Sequence, residues 1–374
     1  MAEARKGDPK LQPYLGPIVG ILVLLFALSK AYERAELVSY DWRFNIRNSI
    51  FGPPVMDPRL GTIEIDDQTL QVEGRWQDWT RTEYVDVVRI LGEYQAEMVG
   101  FDIYFIEPKT KLVSEKQLRG LNKIDQASID ALLAGADYDL RFREAIDQAD
   151  NVYLAQYLIK QAKDAEGPIQ YPPLSADQDQ VLEHFRSHSP KLMVPADEST
   201  IDRAKDFEPP LKLLRDAARG YANAQTTEDF DGSRRRYPLV YQFKDMLFPS
   251  IGLLMVCDLL EVPISNVEVW PGDRIRLPSA KAADGKTRDI EIPIDDSGTM
   301  HVNWVGKWEE TFVRYPHIAL RRAAQREDRQ AILERIKGLV ATDPGSAYGM
   351  GTIYGVVRVV SDPENEKAEY AVLV

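Results

Sequence analysis

Apolar residues are unevenly spread along this chain. From Leu11 to Ala31 the sequence is apolar and carries one charge, Lys30. About twenty such residues are enough to cross the hydrocarbon core of a bilayer, so the run predicts one N-terminal transmembrane helix. Arg5, Lys6 and Lys10 precede it and argue for an inside N-terminus with the rest of the chain outside. The apolar core Tyr14 to Leu28 is longer than a signal-peptide core, which favours an uncleaved anchor. A buried helix of a soluble protein is the alternative. Ala31, Ala35, Val38, Trp42 and Ile46 then recur at helical spacing, which predicts a juxtamembrane helix whose apolar stripe packs on the domain it supports. The Pro-rich stretch Ile50 to Arg59 ends it.

Beyond residue 59 the pattern is that of a globular domain. Leu60 to Asp66 alternates like a strand, Thr82 to Tyr94 has helical periodicity, and Met98 to Phe105 is a nearly continuous apolar strand. Strand, helix and strand predict a βαβ unit with a parallel pair. A polar stretch from Glu107 to Gly135 precedes a helix over Tyr138 to Ala149 and a strand over Asn151 to Gln156. Residues 160–205 are rich in Pro, Asp, Gln and Ser and read as a long surface excursion. A helix over Leu211 to Arg219 follows, then strands at Gly220 to Ala224 and Arg236 to Phe243. A short helix, Ser250 to Leu260, leads to strands at Val267 to Trp270, Arg274 to Leu277, Arg288 to Ile294 and Met300 to Val305. A charge-laced helix covers His317 to Leu339, and strands cover Thr352 to Val360 and Ala368 to Val374. The expected class is α/β, a mixed sheet flanked by helices, with one N-terminal transmembrane helix.

Composition narrows the partners. A formal net charge of -13 over 374 residues with few basic clusters excludes nucleic acid as an expected partner. Proteins, a cation or a small ligand remain. Cys257, the single cysteine, lies in an apolar helix and reads as a buried small hydrophobe, so no intramolecular disulfide is expected.

In order along the chain stand Asp41-Trp-Arg-Phe, Ile65-Asp-Asp-Gln-Thr-Leu70, Gly74-Arg-Trp-Gln-Asp-Trp79 and Val99-Gly-Phe-Asp-Ile-Tyr-Phe-Ile-Glu-Pro108. Gly220-Tyr-Ala-Asn223, Asp229-Phe-Asp-Gly-Ser-Arg234, Phe248-Pro-Ser250 and Met300-His-Val-Asn-Trp-Val-Gly306 follow. In their order and spacing these motifs resemble the CHASE2 sensor domain, over roughly residues 20 to 310. The resemblance implies an extracytoplasmic sensory domain of a bacterial membrane receptor, whose family usually continues through further membrane helices into an output domain; this chain's own pattern departs from that and is read as single-pass in the inner membrane, reporting to an output domain or partner protein, with a homodimer as one arrangement. It divides the chain into a cytoplasmic tail (1–10), the membrane helix (11–31), a juxtamembrane helix and linker (32–58) and a CHASE2-like domain (59–374). Residues 307–374 depart from the family pattern. Neither a Gly-x-Gly-x-x-Gly nor a Walker A sequence occurs, so no output domain is expected in this chain and no enzymatic activity or cofactor.

Candidate ligand-binding residues follow from the rule that ligands of open α/β sheets sit beyond strand carboxyl ends. Asp66, Asp67 and Asp102 end or occupy the first two strands and can converge with Asp229 and Asp231 on a polar ligand or a hard cation. The alternative has them capping loops and pairing with Arg. Arg75, Trp76 and Trp79, with Arg81, can hold a ligand by aromatic and guanidinium contacts, or the indoles are core and the arginines pair with those carboxylates. Arg234, Arg235 and Arg236 suit an anion or an exposed turn. His184 and His188, four apart, suit a metal if helical, or a solvated loop. The acidic surface also fits an envelope scaffold, and paired carboxylates fit a membrane-anchored hydrolase.

Overall fold

The computed structural model describes residues 12–27, 29–54, 59–109, 127, 137–161, 169–229, 231–282, 284–304, 306, 311–324, 352–359 and 369–372. The expected tail 1–10, Leu11, most of the polar stretch 107–135 and the expected helix beyond Ala324 lie outside these. The chain divides into two compact units, the N-terminal helices with Trp304 and Gly306, and the α/β remainder.

In the first unit the apolar run is not one helix. Helix α1 (Gln12–Ala27) has 16 residues, and Ser29 begins a separate helix α2 (Lys30–Phe51), its hydroxyl accepting from the Tyr32 N–H. Sixteen residues rise about 24 Å, short of a hydrocarbon core of about 30 Å. Among the described residues no helix is long and apolar enough to cross a membrane; of the expected span Leu11–Ala31 they show α1 and the start of α2, and Leu11 and Leu28 lie outside them. Continuity of apolarity carries that expectation, and a cap at Ser29 does not interrupt hydropathy. Even so, α1 leaves Ile18, Val19, Ile21, Val23, Leu24 and Leu25 roughly half exposed.

Helix α2 has two apolar faces. Leu37, Tyr40, Phe44 and Arg47 are half-buried. Tyr40 meets Phe44 edge-on at 4.9 Å, the Arg47 guanidinium lies 4.7 Å over Phe44, and it donates to the Trp304 carbonyl at 2.6 Å. The expected packing stripe is the other face, and it is open: Val38 is 53%, Trp42 65% and Ile46 54% exposed.

The second unit begins with β1 (Leu60–Glu64), α3 (Asp67–Glu73), α4 (Thr82–Glu93), β2 (Met98–Tyr104), α5 (Tyr138–Ala149) and β3 (Val152–Lys160). Next come α6 (Ala176–Ser187), β4 (Lys191–Leu192), β5 (Ala204–Glu208), α7 (Lys212–Arg215) and β6 (Gly220–Asn223). They are followed by β7 (Arg236–Pro238), β8 (Val240–Phe243), β9 (Met246–Pro249) and α8 (Ile251–Leu259). The described chain closes with β10 (Glu268–Trp270), β11 (Arg274–Lys281), β12 (Thr287–Pro293), β13 (Thr299–His301), β14 (Val313–Pro316), α9 (His317–Ala324), β15 (Thr352–Val359) and β16 (Glu369–Val372).

The main sheet is mixed and eight-stranded. β14 runs parallel to β1, and β15 lies antiparallel between β1 and β2, with β16 at its end. β2 runs parallel to β3, which pairs in parallel with β6 over Tyr153–Gln156 and then in antiparallel with β5 from Tyr157. The expected β1–β2 pair is therefore not direct. The two strands share a sheet and a direction but are separated by β15, and the βαβ pair belongs to β2 and β3.

Strand alternation sorts side chains to two faces. One face buries Ile63, Val99, Phe101, Ile103, Val152 and Leu154 against α4, α5 and α9, with Phe142 and Ile146 as the plug from α5. Burying each such side chain contributes roughly 1.5–3 kcal/mol relative to leaving it in water. The other face packs Met98, Tyr153, Ala155 and Ala222 against Ile251 and Met255 of α8. The far side of α8, including Leu253 and the buried Cys257, meets the smaller sheet β12-β11-β10-β4 through Val267, Val269, Ile275 and Leu277. Within the expected excursion 160–205, Ser175 and Gln178 form a capping box, and α6 buries Val181, Leu182 and Phe185.

Candidate functional site

The chain leaves β1 at Ile65 and turns at once. The Asp66 carboxylate accepts from the Thr69 N–H at 2.8 Å and from its hydroxyl at 2.6 Å, starting α3, and that hydroxyl accepts from Ile318 N–H at 3.3 Å. Asp66 is thus committed to a cap. Asp67 is exposed on the first turn of α3, where its charge suits the helix N-terminus. Gly74, with φ at +82°, stops the helix in a conformation that side chains disfavour, and the Trp79 indole N–H donates to its carbonyl at 3.2 Å.

The loop that follows divides its residues. Arg75 is exposed and Trp76 half-buried, its indole N–H donating to the Tyr84 hydroxyl at 2.8 Å. Trp79 is 3% exposed and lies 5.0 Å from the His317 ring. Tyr84 packs against Phe105 at 5.2 Å and Phe142 at 5.8 Å. His317 has no exposed surface, and neither ring nitrogen has a well-formed hydrogen bond. Burial, and next the positive charge of Arg321, push its pKa down to about 3, while contact with the Glu83 backbone opposes the shift weakly. Burial also raises the Tyr84 hydroxyl well above its ordinary range.

One of the two readings of this loop pairs Arg75 or Arg81 with Asp66, Asp67 or Asp102, and Arg81 takes other partners. Its guanidinium, buried, donates to Asp139 at 2.9 Å and to the Glu107 carbonyl at 2.8 Å, and stacks 4.6 Å over Phe105. Asp139 is completed by the Lys109 N–H at 2.9 Å. Asp102 belongs to the opposite sheet face. Its negative charge adds to burial in raising the Tyr104 and Tyr237 hydroxyls, and Tyr104 meets Tyr157 edge-on at 5.3 Å.

Asp229 and Asp231 form a third group. Asp229, its side chain 1% exposed, accepts from Arg235 at 3.1 Å and from Arg236 Nε at 2.9 Å. Asp231 takes the other edge of Arg235 at 2.8 and 3.0 Å and the Ser233 N–H at 3.0 Å. These bonds, Arg235 and then Ser233, hold its carboxyl well below the usual carboxylate range. Arg234 pairs with Glu228 at 2.6 Å. The arginine run is an ion-paired turn with Arg235 buried, which leaves little of it for an anion.

The eight candidate residues thus occupy four places, one of them Asp102 on the opposite sheet face near Tyr104 and Tyr237. Asp66 and Trp79 build the core, Asp229 and Asp231 lock a turn, and Asp67, Arg75 and Trp76 remain as a solvent-facing rim at the carboxyl end of β1. Among the described residues no three His, Cys, Asp or Glu side chains gather to hold a metal ion. His184 and His188 do lie on one helix end, but their rings stack at 4.2 Å and 5°, face to face, which prevents both nitrogens from pointing at one ion. Sequence reasoning missed Tyr84, Asp139 and His317 as neighbours of the tryptophan loop. Their partners lie far along the chain, and no local spacing reports them.

The family model of the CHASE2 domain matches residues 18–337 of the chain. No curated protein and no solved structure matches it.

Proposed function

The chain belongs to the CHASE2 domain family, a family of extracytoplasmic sensory domains, and from that premise we propose that it is the sensing part of a bacterial membrane receptor. In this reading α1 seats in the inner membrane, the α/β unit lies outside it, and α2 passes a change of ligand or envelope state to an output domain or partner protein, as a monomer or a homodimer. The reading is non-enzymatic, and binding shifts a population of domain arrangements rather than driving a reaction. The rim of Asp67, Arg75 and Trp76 is its proposed ligand contact. The observation that carries the reading is the family match, which takes in most of α1, all of α2 and the α/β unit as far as α9, with β15 and β16 beyond it. The half-exposed apolar side chains of α1 support a place in lipid.

The test is topological. Cys257 is replaced by Ala, and the exposed Lys205 by Cys. In spheroplasts a membrane-impermeant maleimide should label the new thiol, and the chain should stay with the membranes in alkaline carbonate. Labelling only after permeabilisation overturns the extracytoplasmic placement. A second reading, an envelope scaffold without a small ligand, draws on the open stripe of Val38, Trp42 and Ile46. A stable envelope partner lost on W42A would favour it.

A further inference from the structure

A cluster of buried amides lies away from the loops discussed so far. Gln156, on β3, has no exposed surface, and neither its Nε2 nor its Oε1 has a hydrogen-bond partner. Asn223, directly across from it on the parallel strand β6, is 1% exposed with an unpartnered Nδ2. Exchanging the oxygen and nitrogen of either amide does not remove the problem. Gln156 lacks partners at both ends, and the Asn223 orientation is set by its Oδ1, which accepts from the Gln225 N–H at 3.0 Å. Neighbouring amides of parallel strands readily form a ladder with each other, and these two do not. Buried amide groups left open in this way call for an occupant.

The backbone is irregular at the same point. Between Leu154 and Ala155 of β3 the β2–β3 register shifts from Phe101 to Tyr104, so that β2 carries the extra residues Asp102 and Ile103. On its other edge β3 changes partner, from parallel β6, which ends its pairing at Gln156, to antiparallel β5, which begins at Tyr157. β2 ends at Tyr104 and β6 at Asn223 while β3 runs on to Lys160, so two of the three parallel strands end where β3 changes partner, and a strand irregularity of this kind is over-represented next to functional sites.

We propose that Gln156 and Asn223 form a binding site for a small uncharged ligand with an acceptor and a donor on neighbouring atoms, as in a primary carboxamide. The two amide NH₂ groups donate to the ligand oxygen, and the Gln156 carbonyl accepts from its N–H. An anion satisfies only the donors and leaves Gln156 Oε1 open. The cation farther along the same face of β3, Lys160, is directed to Thr227 at 3.3 Å and to the Tyr241 ring. The site is closed to solvent, so the ligand enters as the strand ends separate, which couples occupancy to the packing of β5 and β6 on β3. The inference rests on the sensory reading for its signalling meaning and on these residues alone for binding.

The test is a side-chain amide NMR titration of the full chain in detergent with acetamide as the probe, and acetate and methylammonium as controls. Gln156→Met and Asn223→Ser assign the two resonances by their disappearance. Saturable shifts of both resonances with acetamide and not with the controls, about tenfold weaker for Asn223 in the Gln156→Met variant, are expected for the loss of a hydrogen bond or so. Absence of saturation, equal shifts with acetate, or cross-relaxation of both amides with bulk-exchanging water without a probe effect overturns the proposal. If Gln156→Met does not fold, the wild-type titration with Asn223→Ser as the assignment decides it. Failure here leaves the maleimide topology result standing, and failure there leaves the binding result readable.

Discussion

Replacing His317 with Phe should flatten the acid limb of the stability profile. The imidazole is fully buried between Trp79 and Tyr84, with burial and Arg321 holding its pKa down to about 3. In the unfolded chain it titrates near 6.5. Between those values the unfolded chain holds a proton that the folded chain excludes, so stability falls as pH drops through 6.5 and continues to fall toward 3. At about 1.4 kcal/mol per pH unit the penalty is negligible at pH 7.5, about 2 kcal/mol at pH 5 and about 3 kcal/mol at pH 4. Phe keeps an aromatic ring against Trp79 and has nothing to titrate. The measurement is urea unfolding of both proteins at pH 7.5, 6, 5 and 4, compared as a difference so that the carboxylates common to both cancel. The variant should gain about 2 kcal/mol on the wild type between pH 7.5 and pH 5. Parallel profiles would refute the reasoning, since they would mean that the folded chain takes up the proton as readily as the unfolded one.

Asp229→Ala should cost about 3–5 kcal/mol by leaving Arg235 and Arg236 short of their buried counter-charge. Asp231→Ala, at a far more exposed carboxylate, should cost much less, and equal losses in urea unfolding would contradict the assignment of Asp229 as the buried anchor. The Asp231 pairing favours the fold above the ordinary carboxylate range and is lost as pH falls through its lowered folded value, so the Asp231→Ala difference should shrink in acid. Burial raises the Cys257 thiol to about 12, so iodoacetamide at pH 8 should label it only in denaturant, and native labelling would place it at an accessible surface. Zinc should not raise the unfolding midpoint through His184 and His188, and a zinc shift lost on His188→Ala would show that the stacked rings reorganise.

Much of the local structure can be read from periodicity. The helices Thr82–Glu93 and Tyr138–Ala149 and the strand Met98–Tyr104 lie within a residue of their expected bounds, because each presents one apolar face to one core. Leu211 to Arg219 shortens to α7, and Arg236 to Phe243 divides into β7 and β8 at Leu239. In α6 the apolar Val181, Leu182 and Phe185 are diluted by Asp and Gln, and the capping box at Ser175 was the available signal. Partner choice was the unreadable part. Arg81 selects Asp139, 58 residues away, over nearer carboxylates, and nothing in the spacing of either residue encodes that. At the site, the charged candidates were visible as residue types, while their commitment to caps and buried ion pairs depends on contacts that only folding creates. The orphaned amides of Gln156 and Asn223 carried no motif at all.

The place of β15 also sets when the main sheet can close. Leu60 pairs with Val356, and Asp102 with Thr352, so the slot between the first two strands is filled by a segment made roughly 290 residues after β1. At about 5–20 residues per second this is an interval of roughly 15 to 60 s. Throughout it, β1 and β2 face each other across a missing neighbour, with unpaired backbone edges of the kind that recruit foreign strands. Local helices and the β2–β3 pair can form while the chain emerges, but the central sheet closes only once β15 has been made. A nascent copy that meets another before then has a ready-made place for the wrong strand.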